Sequence, residues 1–183
     1  MSAAVVEGES LTERATGASR RAIAVWLFVS AIALVVVGLI VAAPFAQSLG
    51  HPELASPIYK AFSFVCHQIP ERSFHLSGHQ LGVCSRCTGL YAGFAVAALV
   101  YPFARSLKRT DTPARVWLIL APLPLAIDFA LNYFGFWPNT HLSRFLTGAL
   151  LSSVAVFYIM PGLVELSSAI ARRFVRESTI ETL

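Results

Sequence analysis

The residues best suited to chemistry lie in one short stretch of this 183-residue chain, between positions 66 and 93. It contains all three cysteines and three of the five histidines. In order along the stretch, these are Cys66-His67, His75, His79 and the motif Cys84-Ser-Arg-Cys87. Thiolates and imidazoles are the ligands that zinc and related metals take in proteins, and one C-x-x-C turn easily supplies two thiolates.

The first interpretation of this pattern is a site for zinc or another transition metal. Cys66, Cys84 and Cys87 would supply three thiolates and His67 an imidazole, with His75 and His79 as spare ligands in the same loop. Neighbouring side chains point in opposite directions along an extended backbone, so ligation by both Cys66 and His67 depends on a turn between them.

A helix that begins at the C-x-x-C motif would activate its sulfurs. If Ser85 caps this helix, Cys87 lies in the first turn, where the helix dipole and Arg86 both favour a thiolate. A thiolate is the metal-binding form of cysteine and also the nucleophile of disulfide exchange.

Two other interpretations stay open. In one, Cys84 and Cys87 form a thiol–disulfide redox centre that exchanges electrons with a redox partner or a quinone, with Cys66 as a third participant. An outward-facing C-x-x-C at the start of a membrane helix resembles the quinone-linked disulfide-forming enzymes, although those relays normally use two cysteine pairs. In the other, one structural disulfide clamps the loop in an oxidising compartment. Whether the protein is an enzyme is left undecided.

Asp128 is the other residue with chemical potential, because it lies inside an apolar run. An ionisable group within a membrane span is costly and is by default a functional candidate. Arg144, near the mouth of the next apolar run, is its predicted partner. Cys84, Cys87, Asp128 and Arg144 are thus the candidate catalytic residues, and the alternative role for Asp128 and Arg144 is a structural ion pair.

The elements that must position these residues are apolar helices. The chain is 56% hydrophobic and only 13% charged, with a mean hydropathy of +0.65. The composition predicts an all-α integral membrane four-helix bundle. The predicted spans are residues 22–43, 86–104, 115–137 and 143–160.

Shorter elements flank and connect these spans. Gly89 and Gly93 have the G-x-x-x-G spacing of closely packed helices. Ser56-Pro57 predicts the start of a short interfacial helix with Cys66 near its end. Pro161-Gly162 is expected to end the fourth span and so the transmembrane domain, residues 22–162.

The basic residues predict the orientation of the chain. The N-terminal tail (1–21), the loop 105–115 and an amphipathic tail (163–183) together carry ten Lys and Arg residues, against two in the loops 44–83 and 137–143. This asymmetry predicts a multi-pass protein of the cell membrane with both termini cytoplasmic and the cysteines on the outer side. The lipid bilayer is then the main partner. Nucleic acid is not expected, because the net charge of +4 forms no basic face with interleaved aromatic residues.

The motif C-H-Q-x-P-E-R-S-F followed by G-H-Q-L-x-V-C-x-R-C-T-G-x-Y-x-G resembles a prokaryotic family of predicted membrane proteins, domain of unknown function 2085. Asp128 and the later sequence Arg144-x-x-Thr147-Gly148 also resemble the family's second half. The resemblance covers about residues 55–160. It implies a protein with several membrane spans and no particular activity.

Overall fold

The computed structural model describes the backbone of residues 2–181 and the side-chain surroundings of residues 17 and 19–173. The described chain is helical, as predicted, apart from one small hairpin. Its elements are α1 (Ser2–Ser48), α2 (Pro52–Ser63), a 3-10 turn (Pro70–Arg72), β1 (His75–Leu76), β2 (His79–Gln80), α3 (Ser85–Ala104), α4 (Val116–Leu120), α5 (Leu123–Tyr133) and α6 (His141–Glu181). The two strands pair antiparallel, His75 opposite Gln80.

Four helical segments in the described residues are long and apolar enough to cross a membrane. They are Ser19–Ser48, Ser85–Ala104, Val116–Tyr133 and His141–Arg173. Large apolar side chains cover their outer surfaces; Phe28 is 66% exposed and Phe103 is 89% exposed. Such a surface would be strongly unfavourable in water, but it suits a hydrocarbon solvent. The prediction of four long apolar helices is therefore confirmed.

Helices α3 and α6 form the closely packed centre of the bundle. A Cβ atom on Gly89 would lie 2.1 Å from the carbonyl oxygen of Phe145, and one on Gly93 would lie 2.5 Å from Cα of Ala149. Gly148 of α6 makes the same kind of close contact from the other side, since a Cβ atom added to it would lie 2.5 Å from the carbonyl oxygen of Arg86. The G-x-x-x-G spacing thus marks a real backbone approach, as small residues allow between membrane helices.

Prolines within the helices free carbonyl groups that neighbouring elements then bind. Pro102 lacks the N–H that would reach the carbonyl oxygen of Ala98. The indole N–H of Trp26, on α1, donates to that oxygen at 2.7 Å. Because lipid offers no hydrogen bonds, such a substitute donor holds α1 against α3.

Several predicted boundaries differ from the structure. The first predicted span, residues 22–43, is part of a helix that begins at Ser2, so residues 2–21, which the sequence analysis separates as an N-terminal tail, belong to the same helix. The interfacial helix begins at Pro52, so its predicted start at Ser56 is wrong. The third span is interrupted between α4 and α5, next to Pro122.

The predicted break at Pro161 is also wrong, because α6 continues to Glu181. One missing hydrogen bond does not end a helix whose other turns are intact and packed. The amphipathic face predicted for residues 163–183 extends past residue 173, where the side chains lie outside the described part of the chain.

Candidate metal centre

The three cysteine sulfurs converge at one end of the bundle. The Sγ atoms of Cys66, Cys84 and Cys87 all lie within 4.8 Å of one another, and all three thiols are free. Cys66 follows α2, with its N–H bonded to the carbonyl oxygen of Phe62 at 2.9 Å. Cys84 is the N-cap of α3, and Cys87 lies in the first turn of that helix. The i, i+3 spacing therefore places these two sulfurs on one helical face.

Backbone amides surround the Cys66 sulfur. The N–H of Cys84 donates to it at 3.2 Å and the N–H of Gln68 at 3.5 Å. Cys66 is only 5% exposed and packs with Ile40 and Val83. These two N–H groups hold the buried Cys66 sulfur beside Cys84.

A proline in α1 fixes the segment that leads to Cys84. Pro44 has no N–H to offer the carbonyl oxygen of Ile40. The N–H of Gly82 donates to this free carbonyl at 3.0 Å. A Cβ on Gly82 would lie 3.2 Å from Cα of Ile40, so only glycine allows the approach without displacement.

Gln68 ties the two cysteine-bearing segments together, and sequence reasoning assigned it no role. Its side-chain Nε2 donates to the carbonyl oxygens of Tyr59 and Gly82, both at 2.8 Å. Its φ of 49° turns the backbone just after Cys66. The side chain thereby holds α2 against the approach to α3, which keeps Cys66 near Cys84.

The Cys84 thiol, which precedes the membrane-spanning part of α3, is strongly acidified. A hydrogen bond from the Cys87 thiol is the main cause, and it lowers the pKa of Cys84 to about 5 although burial opposes this shift. Cys84 is therefore a thiolate at neutral pH, the form that binds metal or attacks a disulfide.

The histidines predicted as ligands lie elsewhere. His67 is exposed and its ring is not part of the sulfur cluster, and His75 and His79 lie in the β1–β2 hairpin, also outside the cluster. Ser85 is the first residue of α3 and not its cap, so that prediction is wrong. Its buried hydroxyl lies 2.9 Å from Nδ1 of His141 and links the starts of α3 and α6.

Asp128 pairs with a different arginine from the one predicted. Arg86 Nη2 donates to Asp128 Oδ2 at 2.7 Å. Arg144 instead donates through Nε to Asn139 Oδ1 at 2.7 Å, and Asn139 Nδ2 donates to Asp128 Oδ2 at 3.1 Å. The predicted direct contact is therefore wrong: Asn139, in the turn before α6, stands between Arg144 and Asp128 and was not foreseen.

An apolar cavity of about 620 Å³ adjoins the cysteine cluster, and Cys87 forms part of its wall. The only polar groups that its lining side chains contribute, among the described residues, are those of Cys87, Tyr91 and Ser152. The cavity lies between α1, α3 and α6; its remaining lining residues are Phe28, Val29, Ile32, Ala33, Val36, Val65, Leu90, Phe94 and Leu163. Its volume is in the usual range of small-molecule sites.

The three cysteines lie within the part of the chain that is similar to known proteins. A family model described as "Predicted membrane protein (DUF2085)" matches residues 66–158. An uncharacterized protein of Methanocaldococcus jannaschii is 38% identical over 104 residues, which cover 57% of this chain and 67% of the relative. One from Methanothermobacter thermautotrophicus is 38% identical over 87 residues, 48% of this chain and 77% of the relative. No solved structure matches the chain.

Proposed function

Since the chain belongs to the family of predicted membrane proteins described as DUF2085, we propose that it is an integral membrane protein that binds a transition metal through Cys66, Cys84 and Cys87. The convergence of the three sulfurs within 4.8 Å carries this proposal. In a tetrahedral zinc site with Zn–S bonds of ~2.3 Å, two sulfurs lie about 3.8 Å apart. A small contraction of the cluster therefore suffices to bind the ion.

The fourth coordination position is open in this arrangement. No histidine, aspartate or glutamate of the described residues joins the three sulfurs. Structural zinc sites are closed by four protein ligands, whereas catalytic sites keep one position for water or substrate. The proposed site resembles the open kind, unless His67 turns inward when the metal binds.

We place the site on the extracytoplasmic side of the membrane. The basic residues of the chain are concentrated at the end of the spans opposite to the cysteines, and such residues stay in the cytoplasm. Both termini would then be cytoplasmic. An outward-facing site takes its metal from outside the cell or from the cell envelope.

Elemental analysis of the purified full-length protein in mild detergent tests the proposal. We expect about one equivalent of zinc, or of another transition metal, that is lost in the double variant Cys84→Ser/Cys87→Ser. His67→Ala, compared with His51→Ala at the other end of α2, decides whether His67 is the fourth ligand. Metal content that is unchanged in the cysteine variant would overturn the proposal.

A second candidate function, thiol oxidation by a quinone, is favoured by the apolar cavity beside Cys87. In this reaction the Cys84 and Cys87 thiols form a disulfide and release two protons and two electrons. The quinone takes up the two protons and the two electrons and becomes a hydroquinone. A dithiol partner would then re-form the Cys84 and Cys87 thiols by disulfide exchange and would leave as a disulfide, which supplies the electron pair for the next cycle.

A free-thiol count separates the two functions. The metal site predicts three titratable thiols after the metal is chelated without reductant. The redox function predicts that a short-chain quinone, added without oxygen, removes two of them and produces one equivalent of hydroquinone. A protein that keeps all three thiols in the presence of quinone would exclude this second candidate.

A further inference from the structure

The apolar cavity beside Cys87 is open toward the bilayer. Phe28 and Ile32 of α1 and Val65, which follows α2, line the cavity, yet they are 66%, 48% and 64% exposed. Ala33, which also lines the cavity, is buried. Because lipid surrounds the exposed faces of membrane helices, a molecule dissolved in the bilayer can enter the cavity past the exposed side chains.

The cavity is long and runs parallel to the helices. On α3 it is lined by one helical face, which consists of Cys87, Leu90, Tyr91 and Phe94. The stretch from Cys87 to Phe94 covers about 10 Å along the helix axis, and the stretch from Phe28 to Val36 on α1 covers about 12 Å. A single apolar chain that lies along the helices fits this shape and removes its own surface from contact with polar groups.

Two groups that can bind a polar head group lie at one end of the cavity. Cys87 and Tyr91 are four residues apart on α3, so they are neighbours on one helical face. Tyr91 also packs against the buried cluster that contains Cys66, which places its ring next to the cysteine site. The Ser152 hydroxyl already donates to the carbonyl oxygen of Ala149 at 3.1 Å, whereas the Tyr91 hydroxyl has no hydrogen bond to the protein within the described residues. Since hydrocarbon offers no acceptor, this hydroxyl is a donor for a bound molecule.

The residues that line the cavity include no charged side chain in the described part of the chain. An ionised carboxylate or phosphate in such surroundings would lack a partner, so its burial would be costly. A carbonyl oxygen is neutral and accepts the hydrogen bond that Tyr91 can donate. The lining therefore favours a neutral carbonyl group over the charged head groups of phospholipids and fatty acids.

We propose that the apolar cavity binds a neutral lipid with one apolar chain and a carbonyl head group, which enters from the bilayer. The chain lies between α1, α3 and α6, and the Tyr91 hydroxyl donates to the carbonyl oxygen. This hydrogen bond holds the head group next to Cys87. Binding of the lipid goes beyond metal binding, and only a reaction of the head group at Cys87 or at its metal rests on the proposed function.

The test uses the full-length protein in mild detergent and three photoactivatable probes. Each probe has the same hexadecyl chain with a diazirine group, and its head group is a methyl ester, a carboxylate or absent. Mass spectrometry of the cross-linked peptides identifies the site. The probe concentration that gives half-maximal labelling compares the affinities.

Two pairs of variants accompany the probes. Ala33→Phe, which fills the cavity, is compared with Ala31→Phe on the exposed face of the same helix. Tyr91→Phe, which removes only the hydroxyl, is compared with Tyr133→Phe, whose ring is exposed on α5. Thermal unfolding establishes that each variant is folded.

We expect the methyl ester to label the peptides of α1 and α3 that line the cavity. Ala33→Phe should weaken its binding at least about tenfold, because the phenyl ring occupies the space of the chain. Tyr91→Phe should weaken it about fivefold, as for one lost hydrogen bond, and should not change binding of the probe without a head group. The two control variants should bind the ester as the unchanged protein does.

The lipid site is overturned if Ala33→Phe and Ala31→Phe are labelled equally, because the ester then lies only in the surrounding detergent. It is also overturned if the carboxylate binds as tightly as the ester, or if Tyr91→Phe binds the ester as tightly as the unchanged protein does. The metal content of the same samples separates this failure from that of the proposed function. Labelling without metal overturns the metal site alone, and metal without labelling overturns the lipid site alone.

Discussion

The N–H of Gly82 donates a hydrogen bond to the carbonyl oxygen of Ile40 at 3.0 Å, four residues before Pro44 in α1. Proline leaves this carbonyl without its helical partner, and a loop donor replaces it. The segment anchored in this way leads directly into Cys84 and α3. Helix α1 therefore sets the position of the Cys84 sulfur, although α1 itself contributes no ligand to the proposed metal site.

Replacing this proline should weaken the cysteine site while it strengthens the helix. Pro44→Ala supplies an N–H that competes with Gly82 for the Ile40 carbonyl, and alanine is favoured over proline in helix interiors by ~3 kcal/mol. We expect metal affinity to fall by about tenfold, as when supporting contacts of a metal site are lost. Competition with a chelator measures the affinity. Pro161→Ala, in α6, is the matched control, and equal affinities in the two variants would contradict the prediction.

Alanine at the helix–helix contact should destabilise the bundle. The Cβ of Gly93→Ala would lie 2.5 Å from both Cα and the carbonyl oxygen of Ala149, so the helices must separate. Overpacking of this kind costs about 1–3 kcal/mol. Gly38→Ala adds a methyl group with nothing within 4 Å and is the control. Unfolding in mixed micelles by titration with SDS gives the two free energies, and similar values would rule out the close contact.

The acidic residue in the third span should couple more strongly to Arg86 than to Arg144. Asp128→Asn combined with Arg86→Gln removes both partners of a direct ion pair, whose side chains are 11% and 22% exposed. We expect the double-mutant cycle to give a coupling free energy of about 1 kcal/mol or more. The cycle with Arg144→Gln should give less, because Asn139 intervenes. A larger coupling to Arg144 would instead support the direct pair predicted from the sequence.

The acidity of Cys84 should appear as reactivity at low pH. Its pKa of about 5 in the folded protein is below the ordinary value of 9.0. In the metal-free protein, the rate of alkylation by iodoacetamide should therefore be half-maximal near pH 5, as peptide mass spectrometry can follow. The thiolate's contribution to stability is full above pH 9.0, declines as the pH falls, and is lost below about pH 5.

Two variants test the cause of this shift. Cys87→Ala removes the main hydrogen-bond donor, so the half-maximal pH should rise toward the ordinary cysteine value. Cys66→Ala removes a lesser contribution and should raise it less. If the alkylation rate of Cys84 depends on pH in the same way in Cys87→Ala as in the unchanged protein, another group acidifies Cys84.

Sequence patterns alone were enough to predict a helical membrane protein and to single out the three cysteines, and the G-x-x-x-G spacing indicated where two helices pack closely. Apolar runs and the spacing of small residues can be recognised within one stretch of sequence, without knowing what that stretch contacts. The sequence also led to the predictions that the first helix begins at Ala22 and that the last helix breaks at Pro161, whereas both helices continue past these residues. Local propensity favours an end at such positions, and helix continuity is decided by packing along the whole length.

The pairing of particular side chains, by contrast, depends on how the helices and turns pack together. Asp128 pairs with Arg86 and not with Arg144, because the turn before α6 places Asn139 between Asp128 and Arg144. Gln68 and the Ile40 carbonyl support the cysteines through contacts between residues far apart in sequence. His67 adjoins Cys66 in sequence, yet the turn after Cys66 buries the sulfur and leaves the imidazole exposed. Spacing indicates which residues belong to one site, but the direction of each side chain depends on backbone turns that the neighbouring helices impose.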